Sequence, residues 1–268
     1  MAQDRLDLLL VRRGLVPSRE QAKRLIMAGE VFVGDRKVTH PGWKLPPDAE
    51  VIVRQPAKFV GRGGFKLEGA LEHFGVDVTN LTALDIGAST GGFTDCLLQA
   101  GAARVIAVDV GYGQLAYKLR QDPRVTVLDR CNARYLEPAS LPFVPDLATC
   151  DASFISQTLL LPTMVSLLAP NSPILTLVKP QFEVDKGQVG KGGVVRDPAL
   201  REQAIARCMR SAEQLGCRVL GVVPSPIRGP AGNEEFVLYL QTPSHSADRR
   251  SEPVRSQTDP DSASVSSP

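Results

Sequence analysis

The fold is decided by Leu81-Thr82-Ala83-Leu84-Asp85-Ile86-Gly87-Ala88-Ser89-Thr90-Gly91-Gly92-Phe93-Thr94-Asp95. It reads as a short apolar strand, a turn of small residues, and the start of a helix. Glycines at 87, 91 and 92 let the backbone turn sharply and let a ligand approach the peptide groups. A Gly-rich strand-to-helix turn is a general device for holding nucleotides. The spacing is neither Gly-x-Gly-x-x-Gly nor a P-loop, because no Gly-Lys-Ser/Thr follows to hold a triphosphate.

Outward from this turn, strands and helices alternate. A helix over 93–100 leads to the strand Arg104–Val108, which ends in Asp109, and Val125–Leu128 ends in Asp129. The strand 146–150 ends in Asp151, and 173–178 ends in Lys179-Pro180. A helix over 198–215 and strands at 217–223 and 235–240 complete the pattern. Such alternation implies a doubly wound, mostly parallel sheet. The last two strands flank only a loop, so they should pair antiparallel. Open α/β sheets bind ligands where their strands end, and Asp85, Asp109, Asp129, Asp151 and Lys179 all fall at strand ends. Asp109 suits ribose hydroxyls, or else caps a helix.

Before this domain, residues 5–16 read as a helix ended by Gly14, and Ser18 opens a second helix over 19–28 with a capping-box pattern. A hairpin over 31–38 and a strand at 51–53 follow. Over residues 1–60 basic residues outnumber acidic ones 11 to 7. Arg12, Arg13, Arg19, Lys23 and Arg24 crowd the two helices, as an RNA grip or as an ordinary solvated face. The expected organisation is a small N-terminal domain over 1–55, a Pro- and Gly-containing linker over 56–64, the α/β domain over 65–242, and a disordered Ser/Pro-rich tail over 243–268.

The 268 residues carry a net charge of +2 and are 43% hydrophobic, so global charge decides nothing and a proper core is affordable. The five cysteines lack a Cys-x-x-Cys pair, which argues against a zinc site or a disulfide framework. No signal peptide and no membrane-length apolar run is read, so the expectation is a soluble, cytoplasmic protein with no metal.

Several separated motifs carry resemblances. The turn at 85–92 resembles the first motif of S-adenosylmethionine-dependent methyltransferases, an acid followed by a Gly-rich turn. Arg5-Leu-Asp7, Gly14-Leu15, Ser18-Arg19, Ala22, Gly29 and Val31-x-Val33-x-Gly-x-x-Val38 resemble the S4 RNA-binding domain. Arg62-Gly63-Gly64-x-Lys66-Leu67, Asp151-x-Ser153-Phe154-Ile155-Ser156, Lys179-Pro180-Gln181-Phe182-Glu183 and Gly232-Asn233-x-Glu235-Phe236 resemble the TlyA family, which joins an S4 domain to an FtsJ-like methyltransferase domain. The linker departs from that pattern, with Gly61 where Ser is expected and no tryptophan at 55–57.

That resemblance implies a Rossmann-like class I methyltransferase fold with a small α+β S4-like domain, S-adenosylmethionine as cofactor, and 2′-O-methylation of cytidines in ribosomal RNA, free or in a ribosomal subunit. It implies a catalytic tetrad of Lys66, Asp151, Lys179 and Glu235. Lys179 would be the leading base, Asp151 would orient and balance the lysines, and Glu235 would position Lys66 or the ribose. For the cofactor, Gly87, Ala88, Ser89, Gly91 and Gly92 would lie against it through their backbone. Asp85 would face its amino-acid end, Asp109 the ribose and Asp129 the adenine amino group. RNA contacts fall to Arg5, Arg12, Arg19, Lys23, Arg24 and Arg62. The loop 185–193, with Lys186 and Lys191, is either a lid over RNA or a flexible crossover. A membrane-active haemolysin and a non-catalytic RNA-binding assembly factor are the competing classes.

Overall fold

The computed structural model describes residues 3–54 and 57–244. The tail expected over 243–268 lies, from residue 245 onward, outside the described residues, as do linker residues 55 and 56. Contacts cluster into two compact units, residues 1–60 and 61–268.

The first unit runs β1 (Asp4–Arg5), α1 (Leu6–Arg12), α2 (Arg19–Ala28), β2 (Val31–Val33), β3 (Arg36–Val38), β4 (Lys44–Leu45) and β5 (Val51–Val53). Local chemistry sets the boundaries of α2. The Ser18 side chain accepts the Gln21 amide at 3.2 Å, and Gly29 leaves the helix at a φ of 75°. Leu6, Leu9 and Leu10 of α1 fall on one face and pack with Ala22, Ile26 and Val31, the i, i+3, i+4 pattern of an amphipathic helix. Strand β2 pairs antiparallel with both β3 and β5. A short β1–β4 pair was not foreseen from the sequence.

The second unit begins with α3 (Gly63–Phe74), then β6 (Thr82–Ile86), α4 (Gly92–Gln99), β7 (Arg104–Val108), α5 (Tyr117–Arg120) and β8 (Val125–Leu128). It continues with β9 (Leu147–Cys150), α6 (Gln157–Leu167), β10 (Pro173–Val178), α7 (Pro180–Glu183), α8 (Pro198–Gln214), β11 (Arg218–Pro224) and β12 (Phe236–Gln241). The seven strands form one sheet in the order β11-β12-β10-β9-β6-β7-β8. Every pairing is parallel except those of β12, which runs antiparallel to β10 and β11. The β11–β12 connection carries no helix that could return the chain for a parallel pairing. Leu84, Ile86, Ile106 and Val108 pack with Leu160, Leu161 and Met164 of α6. Each such side chain fully buried contributes on the order of 2 kcal/mol.

Register then collects the polar residues at one sheet edge. Ile86 faces Cys150, so Gly87 and Asp151 leave adjacent strands side by side. Val178 faces Phe236, so Lys179, just after β10, lies beside Glu235, just before the antiparallel β12. Among the described residues, no helix is long and apolar enough to cross a membrane.

Candidate active site

The Gly-rich turn is built on positive φ angles. Gly87 (77°), Ser89 (49°) and Gly91 (97°) all lie in the left-handed region. A Cβ on Gly87 would sit 2.9 Å from the Ala152 backbone, so this position admits only glycine. Asp109, at the tip of β7, accepts the Ser89 amide at 2.8 Å and the Gly111 amide at 2.7 Å, tying the second strand end to the turn.

The start of α3 packs closely on this turn. A Cβ on Gly92 would lie 2.9 Å from the Gly64 amide nitrogen and 3.1 Å from the Gly61 carbonyl, so the absence of a side chain at 92 lets two helix N-termini approach. One turn further along, Lys66 Nζ reaches Glu235 Oε2 at 2.6 Å and Asp151 Oδ2 at 3.4 Å. Lys179 Nζ lies 2.6 Å from Asp151 Oδ1 as an ion pair and directs its hydrogen bonds to Ser153 Oγ (2.8 Å) and the Asp151 carbonyl (3.2 Å). Asp151 thus bridges the two lysines. The side chains of Lys66 and Lys179 are 8% and 7% exposed, and that of Glu235 only 1%, so two cations and two carboxylates form a nearly closed, charge-balanced quartet.

Two cavities meet here. One, of about 510 Å³, is bordered by Lys66, Asp151, Lys179 and Glu235 together with Ala88 and Gly92 of the turn. The other, of about 440 Å³, reaches Asp109, Gln114, Cys131 and Asn132. They share Gly87, Ser89, Asp151, Ser153 and Phe154 as common wall. Phe154 stands 91% exposed at a φ of 64°, its ring 5.2 Å from that of Phe182.

Of the residues expected to hold the cofactor, Gly87, Ala88, Ser89, Gly92 and Asp109 border these cavities, and three do not. Asp85 is wholly buried and accepts hydrogen bonds from Thr94 Oγ1 (2.6 Å) and Thr149 Oγ1 (3.0 Å), Thr149 being its partner across the β6–β9 ladder. Burial pushes the Asp85 carboxyl up to about 6, against the lowering effect of the two hydroxyls. Its side chain lies between β6 and α4 and borders neither cavity. Asp129 likewise borders neither cavity, and its carboxylate pairs with Arg120 at 2.8 Å. Gly91 serves instead as N-cap of α4.

The residues expected to hold RNA divide by their partners. Arg5 and Arg19 both donate to the buried Asp7, at 3.0 and 2.9 Å, and Arg12 pairs with Asp4. Burial alone would raise the Asp7 carboxyl, but the two guanidiniums hold it below the ordinary range. In the same unit Lys23 is half-buried and Arg24 exposed. Arg62, in the second unit, is exposed as N-cap of α3. The loop 185–193 is fastened at its far end, where Asn233 accepts the Val195 amide at 2.9 Å and donates to the Gly193 carbonyl at 2.8 Å. Ser153, Phe154, Glu183 and Asn233 had no role assigned from sequence, although each stands inside a motif quoted above.

Residues 59–242 match the family model of the FtsJ-like methyltransferase, and residues 4–51 that of the S4 domain. The chain is 49% identical over 240 residues to the 16S/23S rRNA (cytidine-2′-O)-methyltransferase TlyA of Mycobacterium tuberculosis, covering 89% of this chain and 90% of that one. It is 42% identical over 237 residues to Hemolysin A of Brachyspira hyodysenteriae, covering 88% and 99% respectively. A solved structure from Streptococcus thermophilus that carries the hemolysin label superposes with a TM-score of 0.69 at 42% identity, over 91% of this chain and 90% of that one.

S-adenosylmethionine is the methyl donor of the FtsJ-like family, and the residues present fit it. The wall of the second cavity includes the carboxylates Asp109 and Asp151 and no lysine or arginine. That donor set suits a cationic nucleoside and brings no cationic side chain to a phosphate. Fold, cavities and similarity converge: the chain belongs to the FtsJ-like methyltransferase family, in the TlyA group that joins an S4 domain to the methyltransferase domain.

Proposed function

We propose that this chain methylates the 2′-hydroxyl of cytidine ribose in ribosomal RNA, 16S, 23S or both. The observation that carries the proposal is the Lys66–Asp151–Lys179–Glu235 quartet on the wall of a cavity it shares with the Gly-rich turn. S-adenosylmethionine supplies a methyl group already activated by its sulfonium. What remains for the protein is to place the ribose oxygen and remove its proton.

Lys179 rests as an ammonium beside Asp151, loses one proton to solvent to become the amine, and then takes the ribose proton on Nζ. Ser153 Oγ and the Asp151 carbonyl accept hydrogen bonds from Nζ and so fix its direction. The Asp151 carboxylate balances the cation that results. Lys66, held at 2.6 Å by Glu235, points a donor at the same cavity and orients the ribose. The exposed Phe154 ring gives the base of the acceptor nucleotide a face to stack on. Lys23, Arg24 and Arg62 contribute phosphate contacts, which give affinity and register with little sequence reading. A ribosomal RNA substrate supports a cytoplasmic enzyme.

The test is transfer of tritiated methyl groups to purified small and large ribosomal subunits, followed by mapping of the modified nucleotides. Label in a cytidine ribose supports the proposal, and label in a base refutes it.

A further inference from the structure

We propose that Glu183 is a positioning residue for methyl transfer, clamping the loop 151–156 against Lys179 from behind. The inference deepens the methyl-transfer reading of the site and rests on it. The loop leaves β9 after Cys150, enters α6 at Gln157, and carries Asp151, Ser153 and Phe154 into the site. It turns through Phe154 at a φ of 64°. Phenylalanine has neither the missing Cβ of glycine nor the short polar side chain of asparagine that makes this conformation cheap, so the surroundings must impose it.

One stretch, residues 179–183, supplies the restraint. Lys179 holds the front through Ser153 Oγ and the Asp151 carbonyl, and the Phe182 ring meets the Phe154 ring in the middle. Glu183 fastens the back, accepting Ser156 Oγ at 2.5 Å and the Gln157 amide at 2.6 Å. Gln157 is the first residue of the 11-residue α6, so a carboxylate here meets the positive end of a helix through charge-assisted hydrogen bonds. Arg207 of α8 donates to the Glu183 carbonyl at 2.7 Å, which anchors the clamp in the domain. Glu183 is 2% exposed and borders neither cavity of the site, so it acts only through the residues it holds.

The experiment compares full-length wild type, Glu183→Ala, Glu183→Gln and the milder Ser156→Ala. It measures kcat and KM on ribosomal subunits, S-adenosylmethionine affinity by calorimetry, and melting temperature. Glu183→Ala should lower kcat roughly tenfold or more, the cost of a reacting group misplaced by a fraction of an ångström, with a smaller loss of cofactor affinity because the same loop also borders the second cavity. Glu183→Gln, which keeps an acceptor for one of the two donors, should recover part of the loss, and Ser156→Ala should fall between. Wild-type kcat and KM in Glu183→Ala, or cofactor affinity falling in step with activity, overturns the clamp. Should Glu183→Ala not fold, an unchanged kcat in Ser156→Ala overturns it equally. A wild-type protein that methylates neither subunit overturns the underlying reading and the clamp with it, whereas an active wild type with an indifferent Glu183 overturns the clamp alone.

Discussion

Lys66 Nζ lies 2.6 Å from Glu235 Oε2, although 169 positions separate the two residues in the chain. Helix α3 precedes the sheet and β12 is its last strand, so this pair closes the methyltransferase domain on itself. Removing one partner leaves the other buried and uncompensated, which costs roughly 3–5 kcal/mol. Lys66→Met should lose stability on that scale in urea denaturation, and Lys66→Met with Glu235→Leu should regain most of it. Both variants should be inactive. A Lys66→Met protein as stable as wild type would show that the pair does not hold the domain together.

Asp109 and Asp129 end neighbouring strands, and their surroundings separate them. Asp109 borders the second cavity and organises the Ser89 and Gly111 amides, whereas Asp129 is taken by Arg120. Hydrogen bonds to a charged group contribute about 1.5–3 kcal/mol, so Asp109→Ala should weaken S-adenosylmethionine binding roughly 10- to 100-fold. Asp129→Ala should leave it unchanged. Calorimetric titration of both variants decides the matter, and equal losses would contradict the assignment.

Phe154 is expected to serve chiefly the acceptor nucleotide. Base stacking on an aromatic ring is worth about 1–3 kcal/mol, so Phe154→Ala should raise KM for RNA roughly 5- to 100-fold while Phe154→Trp preserves it. Because the ring also borders the second cavity, cofactor affinity should fall less than RNA affinity in Phe154→Ala. An unchanged KM in Phe154→Ala would remove the ring from the acceptor site.

Asp85 offers a pH-dependent stability. Its carboxyl is raised from 3.8 to about 6 by burial. Between those values the native state holds a proton that the unfolded chain has released, so this residue lowers stability as pH rises through that window. The cost at neutral pH is on the order of 3 kcal/mol and vanishes below about pH 4. Asp85→Asn should therefore gain stability near pH 8 and gain nothing near pH 4. Urea denaturation at the two values checks it, and a pH-independent difference would contradict the burial account. Unchanged cofactor affinity in the same variant would agree with its inward placement.

Much of this architecture was legible because periodicity reports it directly. The alternation from Thr82 onward foretold the parallel sheet, and the loop after Pro224 foretold the antiparallel β12. The strand-end position of Asp85 was also legible, but its direction was not. Strand residues alternate between faces, and only the register that sets Asp85 opposite Thr149 shows that it turns inward. The pairing of Asp129 with Arg120 was not legible, because Arg120 sits on the four-residue helix α5, too short to announce itself. The quartet could be named by resemblance, but its convergence depends on the close approach of Gly92 to Gly64 and on the β10–β12 register, neither of which spacing reveals. Phe154 and Glu183 stood in quoted motifs, yet no local pattern marks a left-handed Phe or a carboxylate that caps the helix of another segment.

The central claim is that the quartet around Lys179 carries out ribose methylation. Single-turnover transfer of labelled methyl groups to ribosomal subunits, by wild type and by Lys179→Ala preloaded with S-adenosylmethionine, tests it most directly. Wild type should place a 2′-O-methyl group on cytidine, while Lys179→Ala binds the cofactor normally and transfers nothing. Transfer by Lys179→Ala at the wild-type rate, or wild-type product carrying the methyl group on a base, would contradict it.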